Sequence, residues 1–107
     1  MSKEFTMKIY DIIVLSGGFD PPHVGHVRMI QDAKKRAKRV FIGINSDEWL
    51  ERKKGYVFMP WIERSEVMAA FEGVDEVFRF NDKDNTANDL LIKIRKENPY
   101  CTIAFGN

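Results

Sequence analysis

The segment YDIIVLSGGFDPPHVGH, residues 10–26, decides the fold. Tyr10 to Leu15 is an apolar stretch rich in isoleucine and valine that stops at Ser16-Gly17-Gly18, as a strand buried on both faces does. Beyond Pro21 and Pro22, Val27, Ile30, Ala33 and Ala37 recur at helical spacing. Lys34, Lys35, Arg36, Lys38 and Arg39 gather towards the end of that pattern, where cations suit the helix dipole. The segment therefore hands a buried strand over to an amphipathic helix.

Outward from it the alternation repeats. Val40 to Ile44 reads as a second strand, a helix starts near Pro60 and runs to about Phe71, and Glu76 to Phe80 reads as a third strand. Thr86 to Glu97 places Ala87, Leu90, Leu91 and Ile94 on one helical face, and Tyr100 to Phe105 is a fourth strand reached through Pro99. Strands alternating with helices predict an α/β fold: a Rossmann-like parallel sheet with helices on both faces, in one domain over residues 1–107. Ligands of such sheets bind beyond the carboxyl ends of the strands. That rule selects Ser16 to Asp20, Asn45 to Asp47, the loop after Phe80, and Gly106-Asn107.

Composition narrows the partners. With 107 residues and 44% hydrophobic content the chain suffices for one compact core. The 17 basic and 16 acidic residues give no overall basic field of the kind that holds a nucleic-acid backbone, so anion binding must be local and a small anionic ligand is expected. A single cysteine, Cys101, cannot form an internal bridge and reads as an inert core residue in a reducing compartment. Met1 to Met7 lacks a long apolar core, and Ile12 to Leu15 is far too short to span a bilayer, which predicts a cytoplasmic protein with no membrane partner.

The chemistry concentrates in residues 16–26. This strand-to-helix junction turns backbone amides and a helix N-terminus toward the ligand crevice, an arrangement suited to anions. Gly17 and Gly18 allow backbone conformations and a close approach to phosphate that side chains would block. His23 and His26, the only histidines, lie three apart in the first helical turn and share a face, with Gly25 leaving space for a ligand. Two imidazoles there can donate hydrogen bonds to a triphosphate and to the charge that grows as pyrophosphate leaves. The plainer alternative is that both histidines cap or pack near the turn. A zinc site lacks a clear third ligand, and no metal ligand set is expected.

Gly18-Phe19-Asp20 followed by His23-Val24-Gly25-His26 resembles the signature of the cytidylyltransferase-like nucleotidyltransferases, the HxGH fold. Asn45-Ser46-Asp47-Glu48, Lys54-Gly55, Glu63-Arg64 and Val74-Asp75-Glu76-Val77 follow in that family's order, so the resemblance spans nearly the whole chain. It implies transfer of CMP or AMP from CTP or ATP to a small phosphorylated acceptor, with Mg²⁺ bridging the phosphates. His23, His26 and Lys54 would stabilise the triphosphate. Gly17, Gly18, Phe19, Asp20, Gly25 and Arg64 would shape or contact the nucleotide site, and Asp47 would contact the acceptor or arrange the lysine loop. Lys53 is the neighbour able to take the lysine role. The resemblance further implies a homodimer and a chain shortened at its C-terminus, able to fold and bind nucleotide with little or no turnover of its own.

Simpler readings stand beside these. Arg52, Lys53 and Lys54 can form a solvated loop, the Lys34 to Arg39 cluster a solvated helix end, and Arg64 a surface partner of Glu63 or Glu66. Trp49 and Trp61 flank the lysine loop, either packed under it or lining an acceptor pocket. The downstream motifs look closer to glycerol-3-phosphate cytidylyltransferases and to the adenylyltransferase domain that makes ADP-heptose than to nicotinate mononucleotide adenylyltransferases, with CTP the first expectation. A class I aminoacyl-tRNA synthetase domain shares the histidine motif, but the near-neutral chain offers no tRNA surface. A catalytically silent nucleotide-binding module is the remaining alternative.

Overall fold

The computed structural model describes residues 8–106. The reading of Met1–Met7 and the Asn107 part of the expected crevice lie outside them. In chain order the elements are β1 (Tyr10–Gly17), α1 (Val24–Arg36), β2 (Ala37–Ile44), α2 (Asp47–Lys54), α3 (Trp61–Ala70), β3 (Glu76–Arg79), α4 (Asn88–Glu97) and β4 (Ile103–Gly106). All strand pairs are parallel and the sheet order is β3-β2-β1-β4. The chain thus builds one side of β1 first and then crosses to the other, which puts the topological switch at β1, the strand that feeds the histidine segment.

Side-chain alternation along the strands explains two cores. Ile13, Leu15, Val40, Ile42 and Ile44 pack with Ile30 and Ala33 of α1 and Met68 of α3. Ile12, Val14, Phe41 and Phe78 point the other way, against Leu90 and Ile94 of α4. Both faces of the sheet are therefore covered, as the apolar strand runs predicted. Gly43 lets α4 come this close: a Cβ there would stand 2.2 Å from Leu90 Cδ2. Cys101 is free and half-buried, packed against the second core rather than inside it.

Several boundaries differ from the sequence reading. Ala37 continues the helical apolar spacing, yet it begins β2, paired with Tyr10 and fully buried. Lys38 and Arg39 consequently lie on a strand and not at a helix end. Lys34 is drawn to Asp75 at 2.8 Å. Residues 47–54, which include the Arg52–Lys54 stretch read as a loop, form α2: Ser46 caps its N-terminus by accepting from Trp49 N, and Gly55 closes it with a left-handed φ of 84°. Among the described residues no helix is long and apolar enough to cross a membrane.

Candidate active site

The two histidines form a reciprocal cap at the start of α1. His23 Nδ1 accepts from Gly25 N at 3.0 Å, and His26 Nδ1 accepts from His23 N at 3.1 Å. This is a capping box written with imidazoles, so the plainer capping alternative is true of the geometry. It also determines chemistry. An Nδ1 that accepts a backbone N–H carries no proton, which places the proton of each neutral ring on Nε2. The rings stack with centroids 3.9 Å apart, so the two Nε2–H donors belong to adjoining rings. Burial, and next the neighbouring His23, hold the pKa of His26 below the ordinary histidine value, which favours the neutral donor form.

Phe19 supports this pair. It is buried, with its ring edge-on to His26 at 4.7 Å, and it holds a positive φ of 51°. The special backbone conformation expected of Gly17 and Gly18 thus resides at Phe19, and neither glycine has a positive φ. Gly18 is instead required for packing, since a Cβ would lie 2.9 Å from Leu50 Cδ2. The room expected at Gly25 for a ligand is taken by the His23 ring, whose Cε1 would be 2.7 Å from an added Cβ. Gly25 serves the imidazole cap.

Asp20 ties the loop after α2 to this segment. Its buried carboxylate accepts from Phe58 N at 2.8 Å, Met59 N at 2.6 Å and Lys54 Nζ at 2.8 Å. Burial raises its pKa, but the hydrogen bond from Lys54 and those two amides outweigh it and leave Asp20 below the ordinary carboxylate value. Lys54 lies over the Tyr56 ring at 4.5 Å and reaches Asp20 O as well. Of the two candidate lysines, Lys54 faces the histidine segment. Lys53 is exposed near the Trp49 ring, on another side of α2.

Arg64 is fully buried. Its Nε donates to Met59 O, Nη1 to Gly18 O and Asn45 O, and Nη2 to Asp47 Oδ1 at 2.6 Å. Neither Glu63 nor Glu66 is its partner. A guanidinium spent on three carbonyls and a carboxylate positions the glycine loop, the end of β2 and the loop before α3, instead of reaching outward to a ligand. Asp47 also accepts from Trp61 N at 2.9 Å, so it arranges the α2–α3 connection.

Sequence reasoning passed over Asp82. Buried in the β3–α4 loop, it accepts from Asn45 Nδ2, Ser46 N and Ser46 Oγ, and these bonds outweigh burial to keep its pKa below the ordinary value. Arg52 locks the same loop by donating to Asp82 O and Asn85 Oδ1. The signal for it was faint: one acid in a polar loop after a predicted strand.

A cavity of about 310 Å³ opens at the carboxyl ends of all four strands, lined by Ser16, Gly17, Asn45, Trp49, Phe80, Asn85, Thr86, Ala87 and Phe105. Its position matches the crevice rule, but His23 and His26, placed by the sequence at the crevice, do not line it. The Phe19 ring intervenes, within 3.4 Å of an added Cβ at Gly17 on one side and against His26 on the other. The histidines occupy the adjoining rim, half-buried or exposed and outside the core.

Fold and site together define a Rossmann-like α/β domain of the nucleotide-binding kind, with an HxGH helix start. The model of the cytidylyltransferase-like family matches residues 14–106, and the chain belongs to that family. It is 33% identical over 93 residues to the bifunctional protein HldE of a Nitratiruptor species, covering 85% of this chain and 20% of that protein. It is 34% identical over 91 residues to the bifunctional protein HldE of Koribacter versatilis, covering 77% and 18%. The chain thus spans about a fifth of the length of these curated relatives. The fold also matches the crystal structure of the lipopolysaccharide core biosynthesis protein from Thermoplasma volcanium, with a TM-score of 0.66 at 15% identity over 92% of this chain and 97% of that one. That match, nearly complete on both sides, lends no support to a shortened fold.

Proposed function

We propose that this domain binds a nucleoside triphosphate, CTP or ATP, at the His23–His26 helix start and transfers its nucleoside monophosphate to a small phosphorylated acceptor, releasing pyrophosphate. The observation that carries the proposal is the paired cap. Two stacked imidazoles, each with its Nδ1 committed to the backbone, leave one Nε2–H donor on each ring at a helix N-terminus. Donors fixed before the reaction stabilise charge that develops on departing pyrophosphate without reorganising. Family membership supports the same reading.

The attacking acceptor phosphate is already ionised near neutral pH, so no protein nucleophile is needed and the protein's task is positioning and charge neutralisation. Lys54 supplies the nearby cation. Asp20 holds it at 2.8 Å, and an incoming triphosphate competes for the same ammonium. Asp47 and Arg64 contribute by fixing the loops. The loop's own carboxylate, Asp20, is committed to Lys54 and two amides, so these residues do not form a protein-held Mg²⁺ site; Mg²⁺ would enter with the triphosphate and supply charge neutralisation there.

The test combines binding and turnover. CTP and ATP, each with Mg²⁺, are compared for the rise they cause in melting temperature, since a ligand of the folded state must stabilise it. CTP is expected to give the larger rise; a larger rise with ATP selects AMP transfer. Pyrophosphate release is then followed with a panel of small phosphorylated acceptors. Acceptor-dependent release that disappears in the His23→Ala, His26→Ala double variant supports the proposal. Failure of both nucleotides to stabilise the chain overturns it.

A further inference from the structure

Arg79 ends β3 beside Ile44 of β2, and its guanidinium lies over the Trp61 ring at 4.0 Å. Trp61 is itself fixed, donating Nε1–H to Ile44 O at 3.0 Å and its backbone N–H to Asp47 at 2.9 Å. Among the described residues no protein acceptor takes a hydrogen bond from the Arg79 guanidinium, and the residue is exposed. A guanidinium stacked on an aromatic face is restrained while its in-plane N–H groups stay free, the state that suits a tetrahedral oxyanion.

Arg79 lines a cleft of about 590 Å³ between α2 and the start of α4, with Arg52, Lys83 and Lys93 as further cations. Its carboxylates are largely occupied. Asp82 is turned to Asn45 and Ser46, and Asp89 accepts from Asn81 N and lies 4.0 Å from Lys93. Glu48 remains, on the first turn of α2. Phe80 separates this cleft from the uncharged cavity at the strand ends.

The geometry points to Arg79 as the binding residue of a second phosphate site, distinct from the histidine segment and taking a phosphate group carried by a small molecule. β2 lies between β1 and β3, so the two sites are offset by two strand spacings, ~10 Å. The phosphate at Arg79 is therefore a group other than the one that meets the nucleotide. This site requires only an anion, and it stands whether or not the domain transfers nucleotides.

The indole N–H signals of Trp61 and Trp49 give the readout, recorded by NMR while inorganic phosphate is titrated into the 107-residue chain at constant ionic strength. Trp61 is expected to shift saturably. Charge-assisted hydrogen bonds imply that Arg79→Ala and Arg79→Lys each weaken that binding about tenfold or more, because lysine keeps the charge but loses the stacked fork. Exposure of Arg79 makes both variants compatible with the fold, checked by unchanged core methyl signals. Saturating CTP with Mg²⁺ should leave the Trp61 shift in place. Wild-type affinity in Arg79→Lys, displacement by CTP, or phosphate shifts confined to residues 17–26 would each overturn the assignment.

Discussion

His26 accepts the backbone N–H of His23, while the His23 ring turns back to accept that of Gly25. One pair of residues thus caps the helix and fixes which ring nitrogens remain free. Structural and chemical roles are therefore separable by substitution. Glutamine at the third helical position can also reach back to the cap N–H. His26→Gln should unfold within about 1 kcal/mol of wild type, since one hydrogen bond is at stake, yet lose about 10²–10³ in transfer rate with the donor. Chemical denaturation and pyrophosphate release measure the two; equal rates would remove His26 from the chemistry.

Gly25 supplies a second test. An added Cβ meets His23 Cε1 at 2.7 Å, inside any tolerable contact. Gly25→Ala should displace the ring, break its cap and weaken nucleotide binding as His23→Ala does. Nucleotide titrations of both variants check this. Unaltered binding in Gly25→Ala would show that the ring's place is immaterial.

Acid should destabilise the domain through His26. Unfolded, its imidazole takes a proton near pH 6.5; folded, it does so at lower pH. Between those values the unfolded chain binds more protons, so stability is full above pH 6.5 and falls as pH drops below it. The depressed carboxylates Asp20, Asp75 and Asp82 act only below their ordinary value of 3.8, outside this window. The melting temperature should drop between about pH 7.5 and about pH 5.5, and less so in His26→Gln. An equal drop in both would place the proton elsewhere.

Arg64 carries the largest expected stability effect. Removing it strands Gly18 O, Asn45 O and the Asp47 carboxylate around a buried void, and breaking such a pair costs about 3–5 kcal/mol. Partial exposure of Asp47, at 41%, argues for the lower end. Arg64→Ala is measured by urea unfolding, beside Asp47→Asn, which should cost less because the arginine keeps its three carbonyls. A surface-like cost below about 0.5 kcal/mol for Arg64→Ala would contradict its role.

The alternation of strands and helices was legible because each strand run is apolar and each of α1, α3 and α4 repeats its apolar residues at helical spacing. α2 was hidden: DEWLERKK offers only Trp49 and Leu50 to a core, and the traces it left were Ser46 ahead of two acids and Gly55 behind three cations. Ala37 misled because a small buried residue fits a helix face and a strand start equally. The histidine pair could be found from spacing alone. The burial of Arg64 could not, since its acceptors come from three separate loops that only the fold brings together. The Arg79–Trp61 stack was unreadable for the same reason, and Asp82 left only a faint trace.

The most direct test of the central claim observes both imidazoles by ¹⁵N NMR while CTP or ATP is added with Mg²⁺ at about pH 7.5, above the ordinary histidine value. The account predicts saturable shifts at Nε2 of His23 and of His26, with both Nδ1 atoms remaining unprotonated acceptors. Saturable nucleotide binding that leaves both rings unperturbed, or protons found on Nδ1 in the free protein, would contradict it.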